Sequence, residues 1–363
     1  MSTAFKDQIG EATVRRLADA IAAVDPAFDA AAFVADATSG IEPLELKARI
    51  AHVAAALGRN LAGPFPRAAG VLCSAATAAG LDGWAAWPLP AWVEHIGLDE
   101  PEAALDALAC LTRFASSEFA IRPFIERYPD ATFRRLHEWA GSDDVHLRRL
   151  VSEGTRPRLP WGRRLAELQR DPLPVLPLLD RLRDDPEEYV RRSVANHLND
   201  IAKDHPALAV EIARRWLDEG GEHAGWVARH ALRTLVKAGN PAALTLLGAD
   251  PTVAVEASPL EIEEAVVPMG GVLRFAVVLR NPSPEPVNLV IDYAVHHRTA
   301  NGSLSPKVFK HSTRTLGPGE SIVVGRAHSF RPITTRRYYP GGHRIDVRVN
   351  GRVVGEAEFR LAE

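Results

Sequence analysis

Up to about residue 248 the apolar residues of this chain recur at intervals of three and four. They come in runs of ten to eighteen positions broken by Pro, Gly or Asp, as in PLELKARIAHVAAALGRN and PEAALDALACLTRFAS. That period lays one apolar stripe along each segment and predicts amphipathic helices. From about residue 257 the pattern changes to short β-branched runs: VLRFAVVLRNPSPEPVNLVIDYAVHH, ESIVVGRAHSF and GGHRIDVRVNGRVVGEAEFRLA. RNPSPEP, GPGE and VNGR are turn signals at the spacing of a small antiparallel sandwich. The expected architecture is a multidomain α and β chain, all-α over 1–250 and all-β over 257–363, joined by the extended LGADPTVAVEASP.

The helical part contains a repeat. Aligning LRRLVSEGT (147–155), VRRSVANHL (190–198) and VARHALRTL (227–235) superposes Arg149, Arg192 and Arg229, at separations of 43 and 37 residues. Periods near forty, each unit a helix pair, mark HEAT-like α-solenoids, in which every unit buries its apolar face against the next. The equivalent arginines are then expected to form a column along one surface, able to track a polyanion or to pair with acids of adjacent helices.

Composition narrows the classes. At 363 residues, 46% hydrophobic and 25% charged, the chain is an ordinary globular protein rather than a disordered or membrane-spanning one. The first 25 residues mix charges with apolar positions and contain no secretory core or cleavage site, so a cytoplasmic location is expected. Cys73 and Cys110 lie in apolar helical stretches and read as buried free thiols. The net charge of −3 hides segregation: residues 113–170 hold 12 basic and 8 acidic side chains, against 7 and 12 in residues 1–100. A basic island of this kind can meet phosphates without making the whole protein basic.

Within that island Glu153 sits just before Gly154, where the helical pattern stops. A helix C-terminus presents unpaired carbonyls, so a carboxylate there is unfavourable by a few tenths to about 1 kcal/mol unless a cation compensates. The aligned positions of the other repeats are Asn196 and Arg233, so this acid belongs to one repeat alone. That is the behaviour of a site rather than of scaffold.

SSEFAIRPFIERYP, LRRLVSEGTRPRLPWGRRL and DYAVHHRTANGSLSPKVFK together resemble the AlkC branch of the AlkC/AlkD-like DNA glycosylases, with SEGTRPRLPW the most specific of the three. The resemblance covers the helical domain and the added immunoglobulin-like domain. It implies a bacterial repair enzyme that hydrolyses the N-glycosidic bond of cationic alkylated bases such as 3-methyladenine and 3-methylcytosine in duplex DNA, without flipping the lesion into a pocket.

A base alkylated at N3 is already a cationic leaving group, and its departure leaves an oxocarbenium-like deoxyribose. A fixed carboxylate and an electron-rich aromatic face stabilise such a cation. Glu153 supplies the first and Trp161, held by Pro157 and Pro160, the second. The resemblance raises Glu118 from a favourable acid in a first helical turn to a second catalytic or lesion-facing carboxylate. Arg149, Arg156, Arg158, Arg163, Arg192 and Arg229 are the expected phosphate contacts of the helical domain. HHRTANGSLSPKVFK reads as a loop offering Arg298, Asn301, Lys307 and Lys310, and RPITTRRYYPGG adds Arg336 and Arg337, so that the sandwich closes on the duplex opposite the solenoid.

Several residues carry blander readings. His296 and His297 are strand residues rather than metal ligands, and Trp139 and Trp226 are core. The expected enzyme is a monomer that uses no cofactor and no metal, contacts no membrane and takes alkylated double-stranded DNA as its partner. The alternative is a non-enzymatic HEAT-repeat scaffold that binds DNA or a protein, which would leave Glu153 beside a proline-held tryptophan unexplained.

Overall fold

A computed structural model of the chain describes residues 5–333 and 336–363; Thr334 and Thr335 of the RPITTRRYYPGG run lie outside the described residues. Helices follow one another from Phe5 to Leu246 and strands from Glu256 to Ala362. The helical part is a HEAT-like succession of helix pairs and the strands form an immunoglobulin-like sandwich. No helix among the described residues is long and apolar enough to cross a membrane.

The two compact units of the chain do not divide at the change from helix to strand. One comprises residues 1–204 and 220–230, the other 205–219 and 231–363, so Pro206–Glu219 and the helices after residue 231 group with the sandwich. For the segment after residue 231 the tie is visible at the hairpin tip Asn350-Gly351. Both residues are left-handed, with φ of 46° and 80°, as an Asn-Gly two-residue turn requires. A Cβ on Gly351 would lie 2.6 Å from Gly239 Cα, a backbone approach that only glycine allows. The Asn350 amide also donates to the carbonyl of Asp250, at 2.7 Å.

In the first unit, helices Val145–Gly154 and Glu188–Ile201 are neighbours that carry two of the aligned repeat segments. Each buries the stripe its period predicts: Leu150 and Val151 in the first, Val190, Val194, Leu198 and Ile201 in the second. Asp144 caps the first helix by accepting from the backbone N–H of His146 at 2.8 Å. Cys73 and Cys110, expected as buried free thiols, are free but only half-buried, on helices Phe65–Ala78 and Pro101–Leu111. Trp139 is buried as expected, whereas Trp226 is half-buried and stacks on His230 at 5.1 Å.

The sandwich packs a sheet built on Val272–Arg280 and Ser321–Ser329 over a five-stranded sheet. In the latter the order is Val266–Pro268, Arg352–Ala362, Gly341–Val349, Val287–Arg298 and Leu304–Leu316. Val272–Arg280 alternates burial and exposure, as a strand with one solvated face should. The run HHRTANGSLSPKVFK is not a loop. It is a β-hairpin in which Arg298 pairs with Leu304 and Val295 with Lys307, because the β-branched and aromatic residues on either side of Asn301-Gly302 continue the ladder. His296 and His297 both lie in the strand Val287–Arg298 and are buried; His296 Nε2 is 2.6 Å from Asp346 Oδ2.

Candidate functional site

The helix Val145–Gly154 ends where its sequence says, with Glu153 in its last turn and buried at 6% exposure. The compensation it requires is provided three times over. Arg156 Nη1 donates to Glu153 Oε1 at 2.7 Å, and Arg149 Nη2 lies 3.4 Å from the same oxygen. Arg122, fully buried, donates from Nη1 to the carbonyls of Gly154 and Arg156, each at 2.8 Å, and from Nε to that of Arg163 at 2.7 Å. A cation thus sits on the carbonyl end of the helix and ties both ends of the loop that follows. Burial lowers the Arg122 pKa to about 10, which leaves the group charged at neutral pH.

The next repeat completes the setting of Glu153. Ser193 Oγ donates to Glu153 Oε2 at 2.6 Å, and Ser152 Oγ donates to Ser193 Oγ at 2.7 Å. His197 is fully buried with Nδ1 2.9 Å from the Ser152 carbonyl; burial lowers its pKa to about 4, so the ring is neutral. Asp200, also buried, accepts from Arg156 Nε at 2.8 Å and from Lys203 at 2.9 Å. Burial acts against the charge on Arg156, but Glu153 and Asp200 outweigh it and hold its pKa above the ordinary arginine value.

Glu118 lies in the turn before the helix Arg122–Arg127 rather than in a first helical turn. Its Oε2 accepts from Ser116 Oγ at 2.7 Å and from Arg149 Nη1, while its Oε1 has no partner among the described residues. Arg149 therefore joins the two carboxylates, and its guanidinium lies 5.1 Å from the centre of the Tyr189 ring. The approach of the Glu118 turn to the helix end depends on Gly154, where a Cβ would meet Ile121 Cγ2 at 2.7 Å.

Trp161 is 72% exposed and has φ 63°, a conformation that a bulky L-residue avoids and that surrounding structure must impose. Lys47 from the helix Leu46–Asn60 supplies part of that constraint by donating to the Trp161 carbonyl, and its ammonium lies 5.5 Å from the centre of the Phe119 ring. Trp161, Glu118 and Glu153 line one cleft of about 560 Å³, together with Lys47, Glu94, Phe119 and Arg163.

The expected phosphate contacts fall into two groups. Arg156 is corrected: at 7% exposure, between Glu153 and Asp200, it positions a carboxylate and is not presented to a phosphate. Arg149 is likewise committed to the acids. Arg158 makes a two-pronged pair with Asp204 at 2.6 and 2.7 Å, Arg163 pairs with Glu126 at 2.9 Å, and Arg192 pairs with Glu188 on its own helix. These pairs are at least partly exposed and each could exchange its acid for a phosphate. Arg229 is exposed.

On the sandwich Arg298, Lys307 and Lys310 are exposed along the hairpin, and Arg337 lies 5.3 Å from the centre of the Tyr339 ring, beside the half-buried Arg336. The Asn301 side-chain carbonyl accepts from Thr299 and Ser303 and staples the hairpin tip, so its oxygen serves the turn. Sequence reasoning missed Arg122, Ser193, Asp200, Lys47 and Glu94. Arg122 alone left a trace, as a lone cation in the apolar run FAIRPFI.

Residues 112–235 match the family described as DNA alkylation repair enzyme, and residues 256–363 match the C-terminal Ig-like domain of the uncharacterised protein YhaZ. The uncharacterized protein YhaZ of Bacillus subtilis (strain 168) is 36% identical over 318 residues, 88% of each chain. Among solved structures, the alkylpurine DNA glycosylase AlkC of Pseudomonas fluorescens, bound to DNA containing an abasic site analog, matches with a TM-score of 0.94. The two are 39% identical, over 99% of this chain and 100% of that one.

Proposed function

This chain belongs to the DNA alkylation repair enzymes, in the AlkC branch that carries an added immunoglobulin-like domain, and from that premise we propose that it is a DNA glycosylase. It hydrolyses the N-glycosidic bond of cationic alkylated bases, 3-methyladenine and 3-methylcytosine foremost, in duplex DNA. The observation that carries this reading is the meeting of Glu118 and Glu153 at Arg149, on one cleft with an exposed, left-handed Trp161.

The alkylated base takes the glycosidic electron pair and leaves neutral, so no acid is needed to protonate it. Positive charge then develops on the deoxyribose. Glu153, immobilised by Arg156 and Ser193, presents a fixed negative charge to it, and the Trp161 ring offers its electron-rich face. Glu118 keeps Oε1 unbonded among the described residues and can orient a water toward the sugar carbon; as the new C–O bond forms, that water passes one proton to the Glu118 carboxylate. Because the bond to be broken is already weak, the lesion need not be flipped into an enclosed pocket.

Arg158, Arg163, Arg192 and Arg229 hold the phosphates on this side, and the sandwich adds Arg298, Lys307, Lys310, Arg336 and Arg337 as further DNA contacts. A scaffold that only binds a partner would have no use for a strained, exposed tryptophan beside two tethered carboxylates.

The test is base release. Duplex DNA carrying 3-methyladenine, incubated with the full chain and resolved by liquid chromatography, should yield the free base and an abasic strand. Binding of the duplex without release would leave the chain a DNA-binding scaffold.

A further inference from the structure

The cleft reaches beyond the two carboxylates. One wall comes from Trp87 and the helices Leu46–Asn60 and Pro88–Ile96 and carries the apolar Leu46, Ile50, Pro90 and Ala91 beside Lys47, Glu94 and His95, and Phe119 lines the same space. Its volume of about 560 Å³ falls within the range of small-molecule sites, roughly 300–1,000 Å³, and is ample for one nucleobase. Glu94, half-buried on the second of those helices, is the third acid to line it.

Unlike Glu118 and Glu153, Glu94 has no hydrogen-bond or ion-pair partner among the described residues. Burial pushes its carboxyl above the usual range, although His95, Arg163 and Lys47 act in the opposite direction. For the part of this carboxyl that is buried against an aromatic and apolar cleft, no N–H donor among the described residues compensates. That unmet requirement lies on the same cleft as Glu118, Glu153 and Trp161.

We propose that this cleft is the subsite of the leaving base, and that Glu94 determines specificity by accepting a hydrogen bond from the exocyclic amine of that base. The inference rests on the glycosylase reading and deepens it. An ionised carboxylate can only accept. Adenine at C6 and cytosine at C4 carry an amine on the corresponding edge, whereas guanine carries a carbonyl oxygen there. A carboxylate facing that edge favours alkylated adenine and cytosine and opposes 7-methylguanine, through two acceptors set against each other. The aromatic and apolar walls serve any flat heterocycle, and Glu118 and Glu153 are already tethered by arginine and serine, so discrimination falls to the acid without a partner among the described residues. Entry accompanies bond cleavage and requires no prior flipping.

The experiment compares single-turnover release of 3-methyladenine and 7-methylguanine from otherwise identical duplexes by the wild-type chain and by Glu94→Gln. The wild type should prefer 3-methyladenine. Glutamine can present either its oxygen or its amide N–H, so the preference should fall at least about tenfold, the scale of one hydrogen bond to a charged group. Free 3-methyladenine, titrated into each protein with tryptophan fluorescence as readout, should bind the wild type more tightly than the variant. A wild type that releases both bases equally, or a folded variant with an unchanged preference and unchanged binding of the free base, overturns the assignment of Glu94. Release of neither base by the wild type would sink the glycosylase reading itself, and this one with it.

Discussion

Replacing Glu153 by glutamine keeps the shape of the side chain and removes its charge. Three groups feel the change. Ser193 can still donate, at 2.6 Å, to the oxygen that remains. Arg156 loses one of two carboxylates but keeps Asp200 at 2.8 Å, and Arg149 keeps Glu118. Breaking a buried ion pair typically costs about 3–5 kcal/mol because a charge is stranded. Here neither arginine is stranded, so the loss of stability should be smaller, on the order of 1–3 kcal/mol, the penalty for imperfectly satisfied buried donors.

Catalysis has no such reserve if Glu153 is the fixed charge opposite the developing cation. Losing one preorganised electrostatic contact lowers rates by about 10²–10³-fold, equivalent to about 2.7–4 kcal/mol. The assay is single-turnover release of 3-methyladenine at saturating enzyme, with a urea melt of the same preparation and a binding isotherm on uncleavable duplex. The expected pattern is a modest stability loss, retained binding and release slowed at least about a hundredfold. A folded Glu153→Gln chain that releases the base at close to the wild-type rate would remove Glu153 from the chemistry.

Trp161→Gly should relieve the left-handed backbone while removing the aromatic face. Stability measured by thermal melting is therefore expected to hold or rise, by up to about 1–2 kcal/mol, while base release falls; a melt that drops sharply would mean Trp161 is structural. Acid should weaken the fold through histidines buried neutral. His197 and His328 have pKa values lowered by burial to about 4 and His297 to about 3, against about 6.5 for the unfolded chain. Below pH 6.5 the unfolded chain binds protons that the folded one refuses, so each ring removes about 1.4 kcal/mol per pH unit until its folded pKa is reached. Denaturant melts from pH 7 to pH 4 that show no such loss would contradict these environments. Changing Arg298, Lys307 or Lys310 to Ala should weaken duplex binding whatever the lesion and flatten the salt dependence by about one unit each; unchanged salt slopes would take the hairpin out of the interface. These point changes are preferable to truncation at residue 251, which would cut through a compact unit.

The sequence by itself determined what depends on near neighbours. The period of three and four marked the helices, the short β-branched runs marked the strands, and VNGR marked a turn, because each of these is set within a few residues. Glu153 was legible for the same reason: an acid at a helix end is a local anomaly.

Only the tertiary structure decided what answers that anomaly. Arg122 reaches across 32 residues to the Gly154 carbonyl, Ser193 across 40 to the Glu153 carboxylate, and Asp200 across 44 to Arg156. Nothing in the local pattern ties such partners together, since a buried arginine and a solvated one can occupy similar helical positions. The same holds for Glu94, an unremarkable acid in sequence until two helices and a strained loop close a cleft around it. It holds too for the grouping of Pro206–Glu219 with the sandwich. Periodicity states which face of an element is buried; which side chains meet there depends on how the elements pack.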